Sequence, residues 1–338
     1  MAPERIRSLV RWESGLAVAA LAVVAFGSAT SSQFLTQGNF FYLCQSVGEV
    51  AIMALPMTLI IVTGEIDLAV ASTLGMSSAV LGELWTHRWP MPLIIATVLA
   101  VGAAAGAFNG ILITRFGLPS LAVTIGTLTL YRGIAVIVLG PNTISDFPAQ
   151  YTKIGVEPVP HTGFLSYSVA VFAVLAAVCA LLLHATPFGR RLYAMGLNRD
   201  AALYAGIRVK RTKLLLYIVS GIVAALAGIL WTFRLATAVQ DNGLGLELSV
   251  VAVVLLGGIS IFGGKGTIAG VVLALFVFAG LQNALFLTSF EQRAMGVVTG
   301  ALLLVSVLVP NAGSFAQRAR EAMRRRKQRL RGVEVGSV

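Results

Sequence analysis

Gly106 to Phe116 reads GAFNGILITRF and Gly280 to Phe290 reads GLQNALFLTSF, so Gly, Asn, Thr and Phe recur at identical spacing 174 residues apart. The same offset joins Thr63 and Asp67 of TGEID to Thr237 and Asp241 of TAVQD, and Gly126 and Leu128 to Gly300 and Leu302. Gly-rich helices resemble one another by composition, but composition alone does not easily hold so many pairs in one register. Both copies lie in apolar runs of a 338-residue chain that is 57% hydrophobic and 12% charged, with mean hydropathy +0.87. That exceeds what a water-soluble core needs. The expected fold class is therefore all-α, a polytopic membrane protein.

Runs of roughly bilayer-spanning length lie at 15–29, 41–63, 67–86, 91–113, 119–139, 165–184, 212–234, 247–262, 267–288 and 293–309. About twenty apolar residues cross the hydrocarbon, so ten spans are expected, with Gly and Pro interruptions leaving nine or eleven open. The offset carries the second span onto the seventh and the fourth onto the ninth. Five spans is an odd number of crossings, so the copies run in opposite directions. Inverted repeats of this kind place a solute route at their interface near the midplane, often built from interrupted helices.

Positive charge sets the expected orientation. With the N-terminus inside, Arg115, the segment Arg190 to Lys213, Lys265 and the tail AQRAREAMRRRKQRLRG all fall on the cytoplasmic side. The chain divides into a cytoplasmic segment 1–14, a transmembrane domain 15–311 and a basic cytoplasmic tail 312–338. Both termini are expected inside a plasma or inner membrane. The net charge of +11 then reports topology and contact with membrane lipid, and no nucleic acid partner is expected. Arg5, Arg7 and Arg11 precede the first apolar run without a convincing cleavage site, so that run reads as a membrane helix. Cys44 and Cys179 sit in separate apolar runs and read as packing residues.

A few polar residues sit at membrane depth and need a reason to be there. Glu65 and Asp67 divide two apolar runs in IIVTGEIDLAVAS; Asp67 suits a helix cap as well as a pathway wall, and both roles stay open. Arg132, in TLYRGIAVIVLG, lies inside the fifth run and requires a buried partner, for which Glu49, Glu65, Asp67 and Glu247 are the available carboxylates. Asp241 is the repeat mate of Asp67. Asn109 and Asn283 are mates as well, and Asn in a membrane helix either bonds across helices or touches solute.

The stretch GGISIFGGKGT does not make a phosphate-binding loop. Ile259 stands where the first Gly must be and Gly266 where the hydroxyl must be, so the backbone cradle and the magnesium ligand are missing. Gly257, Gly258, Gly263, Gly264 and Gly266 read instead as a tight turn. His87, His161 and His184 lie in loops or at span ends without matched acid and nucleophile motifs, so an enzyme is not expected. No cofactor is expected on this chain.

From roughly residue 15 to 311 the chain resembles the membrane permeases of bacterial ABC importers for sugars, the ribose-type group related to branched-chain amino-acid permeases. The resemblance rests on TGEIDLAVAS, TIGTLTLYRGIA, TPFGRRLYAMGLNRDAALYAGIRVKRTKLLLYIVSG and LELSVVAVVLLGGISIFGGKGTIAG, in that order. It implies that the loop 185–211 carries short helices that dock into a cytoplasmic ATPase, through Gly196, Asn198, Arg199, Ala201, Ala202, Gly206 and Ile207. Ala201, Ala202, Tyr204 and Ala205 are expected to form the small-residue docking surface. The partners implied are that ATPase, which supplies ATP hydrolysis, an extracytoplasmic sugar-binding protein and a second permease subunit, identical or related. Glu65 departs from the group's usual Gly. The substrate implied is a monosaccharide, with a lean to rhamnose-like deoxy sugars or the furanosyl signalling molecule of bacteria. An ion-coupled secondary transporter would also show inverted repeats and membrane carboxylates, with Asp67 and Arg132 as a coupling pair, but would have no use for a docking loop. A channel fits less well, since nothing resembles a filter or a charge ring.

Overall fold

The computed structural model describes residues 2–288, 296–305 and 308, with side chains described from Trp12 onward. The helices in order are α1 (Ala2–Thr30), α2 (Gln37–Val62), α3 (Val70–Thr86), α4 (Met91–Thr114), α5 (Ser120–Leu139), α6 (Ala149–Val156) and α7 (Tyr167–Ala180), which closes on a π-helical turn. Then come α8 (Pro187–Leu197), α9 (Arg199–Tyr204), α10 (Val209–Leu235), α11 (Leu246–Leu256), α12 (Ile268–Leu287) and α13 (Gly296–Val305). The described residues contain no strand, only isolated bridges between Ile144 and Ala238 and between Pro158 and Ser166. The chain is an all-α polytopic membrane protein.

Seven described helices are long and apolar enough to cross a bilayer. Two expected spans are shorter than their apolar runs. The run 67–86 becomes α3, 17 residues starting at Val70, because Gly64 at φ +82° ends the preceding helix and Glu65 to Leu68 cross in non-helical backbone. The run 247–262 becomes α11, only 11 residues, because Gly257 caps it and Gly258 follows at φ +82°. At the N-terminus α1 runs unbroken from Ala2, and its apolar span begins at Trp12. The last expected span, 293–309, is described only in part, and the tail 312–338 lies outside the described residues.

Adding 174 to the starts Gln37, Val70 and Met91 gives 211, 244 and 265, against observed starts of Val209, Leu246 and Ile268 for α10, α11 and α12. The copies are inverted. In α2 the first turns bond across to α6 through Gln45 Nε2 and Gly155 O, and the last residue, Val62, meets Gly196 of α8. In α10 the order is reversed: Val209 packs with Ala202 of α9, while Arg234 lies against Gly155.

The core is centred on α2, every residue of which is buried from Val47 to Val62. Its closest rival in packing is the α4–α10 pair. A Cβ on Gly106 would lie 2.1 Å from Tyr217 O, one on Gly102 2.4 Å from Gly221 O, and one on Gly221 2.1 Å from Gly102 O. In lipid, where apolar burial gives helices no net drive to associate, such backbone approach supplies the contact. The repeat mate Gly280 meets only the Val23 side chain, so the duplication preserves helix placement but not this packing.

Candidate functional site

Two interrupted segments, one per repeat, enter the helix bundle from opposite faces. The first, between α2 and α3, is held residue by residue. Glu65 forms an ion pair with Lys213, both side chains largely buried. The Ile66 carbonyl accepts from Tyr217 Oη at 3.1 Å, and its N–H donates to Ser120 Oγ at 3.3 Å. Asp67 is buried; its Oδ1 accepts from Ala69 N at 3.1 Å and its Oδ2 from Ser220 Oγ at 2.9 Å. Asp67 thus bonds the N–H of Ala69, the residue that precedes α3, while α3 itself has no side-chain cap bond.

The second segment runs from Ala236, at φ +51°, to Gly245, at φ +82°. Its centre is Asn242, buried, with Nδ2 donating to Ser78 Oγ at 2.8 Å; Thr232 Oγ1 donates to the same oxygen at 2.7 Å. Asp241 is exposed, and Glu247 is half-buried in the first turn of α11.

Arg132 joins the second segment to the first turn of α3. From α5 its Nη1 donates to Asn242 O at 2.6 Å and its Nη2 to Ala71 O at 3.3 Å. Its hydrogen-bond partners are two backbone carbonyls rather than a carboxylate, and carbonyls accept a planar fork well. Asp241 and Glu247 supply the acidic field around the guanidinium. A Cβ on Gly75 would lie 2.4 Å from Nη1, so glycine is what lets the guanidinium reach α3.

The remaining polar candidates are occupied elsewhere. Asn109 accepts from Tyr131 Oη at 3.1 Å, and Asn283 exchanges hydrogen bonds with Asn39 at 2.8 and 3.0 Å, so both bond across helices. Glu49, fully buried, takes Arg234 Nε at 2.9 Å, and that guanidinium stacks 4.7 Å from the Trp231 ring. Sequence reasoning missed this pair because Arg234 counts as a helix-end cation. It missed the Glu65–Lys213 pair for a similar reason, Lys213 being the last cation of a basic loop.

That loop folds as α8 and α9. Thr186 Oγ1 caps α8 by accepting from Gly189 N, and Asn198 Oδ1 caps α9 by accepting from Ala201 N at 2.9 Å. The seat is tight: a Cβ on Gly196 would lie 2.0 Å from Val62 O and 2.4 Å from Gly264 N. Tyr193 Oη donates to Gly266 O at 2.7 Å, and burial pushes its phenol up to about 12. The Gly-rich run 257–266 does form a turn, with Gly258, Gly263, Gly264 and Gly266 all at positive φ. One docking candidate moves inward. Ala202 is buried with Met195 and Val209, against Ile207, and fixes α9 on α8. Arg199, Ala201, Leu203, Tyr204, Ala205 and Gly206 remain exposed, Tyr204 at 93%. Below α9 a cavity of about 140 Å³ is lined by Glu65, Thr114, Arg199, Lys210 and Lys213 among others.

Residues 39–307 match the family described as branched-chain amino acid transport system / permease component. Among similar proteins is the autoinducer 2 import system permease protein LsrC of Salmonella choleraesuis (strain SC-B67), 33% identical, with 93% of this chain and 88% of that protein covered. Another is the autoinducer 2 import system permease protein LsrD of Escherichia coli O9:H4 (strain HS), 32% identical over 93% of this chain and 96% of that protein. No solved structure matches the chain.

Proposed function

We propose, since the chain belongs to the family of branched-chain amino acid transport system permease components, that it is the membrane subunit of an ATP-driven importer of autoinducer 2. The observation that carries this reading is the pairing of an exposed, capped α8–α9 unit, seated on the ends of the core helices, with a polar interior built from two inverted interrupted segments. A secondary transporter would use the second feature and has no need of the first. The α8–α9 face is then cytoplasmic, and the face carrying α6 and the loop 140–164 receives a solute-binding protein. The missing phosphate-loop spacing supports ATP hydrolysis by a separate subunit, and a second permease, identical or related, completes the pair of docking sites that two ATPases need.

The substrate assignment rests on the names of the relatives, two of which are autoinducer 2 permeases at nearly equal identity. The rhamnose-like expectation finds no support among them and ranks second. The test is ATP-dependent uptake into proteoliposomes holding the permease, its ATPase and its binding protein. Autoinducer 2 is expected to accumulate at least about tenfold faster than rhamnose, equivalent to about 1.4 kcal/mol of discrimination. Rhamnose uptake at the faster rate would replace the substrate, and uptake without ATPase subunits would replace the mechanism.

The docking surface makes its own prediction. Leu203→Asp with Tyr204→Asp adds two charges to an exposed face that touches nothing within the chain's core, so membrane abundance is expected to stay near wild type. Co-purification of the ATPase is expected to fall at least about tenfold, since buried aromatic contacts dominate interface energy. Unchanged co-purification would move the contact off α9.

A further inference from the structure

The face of α10 that meets the first interrupted segment is regular. Lys213, Tyr217 and Ser220 stand four and then three residues apart, which places them in one stripe. They hold three consecutive residues: Lys213 pairs with the Glu65 carboxylate, Tyr217 Oη donates to Ile66 O at 3.1 Å, and Ser220 Oγ donates to Asp67 Oδ2 at 2.9 Å.

Both ends of this ladder are anchored. On the α10 side, Val209 packs with Ala202 and Met195 in the α8–α9 cluster, only one turn before Lys213. The close approach of Gly102, Gly106 and Gly221 welds the rest of α10 to α4. On the segment side, Asp67 Oδ1 accepts from the N–H of Ala69, the residue before α3, and Ala71 O of α3 accepts from Arg132, which also holds Asn242 of the second segment. A displacement of α9 therefore reaches both interrupted segments through packed or hydrogen-bonded groups alone.

We infer that Lys213, Tyr217 and Ser220 are the positioning residues that transmit movement of the α8–α9 unit to the interrupted segments, with Glu65–Lys213 as the rung nearest the docking face. The inference rests on the importer reading above and deepens it. The Glu65–Lys213 rung is the charged contact of the three. A buried pair is a poor source of stability but a strict one, because removing either partner strands the other in a poorly solvated site. That strictness suits a transmission contact, which must not slip.

The test compares Lys213→Met, Glu65→Gln and the exchanged pair Lys213→Glu with Glu65→Lys in the reconstituted complex, reading ATP hydrolysed and substrate imported in the same vesicles. Each single variant is expected to retain ATPase association and hydrolysis while import falls about tenfold, so that ATP used per molecule imported rises by that factor. The exchanged pair is expected to recover most of the loss. Tyr217→Phe, which keeps the buried ring and removes only the Oη donor, is expected to shift the same ratio in the same direction. Single variants with wild-type ratios would overturn the inference, as would losses of import and hydrolysis that follow loss of assembled complex. A wild-type complex that hydrolyses ATP without importing would count against the importer reading instead. The ladder is then read by the distance between spin labels at His87→Cys and His161→Cys, both exposed, in a chain with Cys44 and Cys179 replaced by Ala. That distance is expected to change with ATP in the parent and to stay fixed in Lys213→Met, and an equal change in both would overturn the ladder.

Discussion

Replacing Arg132 by Ala is expected to reduce import by about 100-fold while the complex stays assembled in the membrane. Two hydrogen bonds from a charged donor are lost, each worth about 1.5 to 3 kcal/mol, and the low end already gives about 3 kcal/mol. The bonds go to Ala71 O in the first turn of α3 and to Asn242 O on the second interrupted segment, so the loss falls on the position of that segment against α3. Arg132→Lys is expected to rescue poorly, because an ammonium on a flexible stem cannot hold two carbonyls in the fixed geometry of a guanidinium. Vesicle uptake measured beside membrane abundance checks both variants. Abundance falling in step with uptake would make Arg132 a folding residue, and full activity in Arg132→Lys would reduce it to a point charge.

Gly106→Ala is expected to destabilise the isolated permease by about 3 kcal/mol or more, and its repeat mate Gly280→Ala by under about 1 kcal/mol. The reason is what each new methyl meets. At Gly106 it lies 2.1 Å from Tyr217 O and 2.8 Å from Tyr217 C, backbone that moves only if α4 and α10 separate. At Gly280 it lies 2.8 Å from Val23 Cγ1, the end of a side chain on α1 that can turn aside. Thermal unfolding in detergent, followed by size-exclusion of the heated sample, compares the two directly. Equal losses would mean that the α4–α10 approach is not what holds this half of the bundle.

The two glycines also show how much of the molecule was legible in the chain. Duplication, helix class and the placement of α4, α5, α10 and α12 followed from spacing and apolar run length, because a lipid-facing helix must be apolar along its whole length. The short helices α3 and α11 did not follow. Hydropathy breaks at Gly64 but resumes at Asp67, ahead of the start of α3 at Val70, and it runs on through Gly258, where a positive φ follows the end of α11. The partners of Arg132 were hidden for a related reason: a search for compensation in a sequence finds carboxylates, whereas backbone carbonyls carry no letter. The inward turn of Ala202 was equally hidden, since an alanine in a six-residue helix can face either way.

Whether α9 carries the contact with a cytoplasmic ATPase is answered by site-directed cross-linking in native membranes. A chain with Cys44 and Cys179 replaced by Ala carries either Tyr204→Cys, on α9, or Ser145→Cys, on the opposite face, and is treated with a bifunctional thiol reagent of short span. A covalent adduct is expected between position 204 and the ATPase, none from position 145, and loss of the adduct when Leu203→Asp is added. An adduct from position 145 with none from 204, in complexes that hydrolyse ATP normally, would contradict both the docking assignment and the orientation drawn from it.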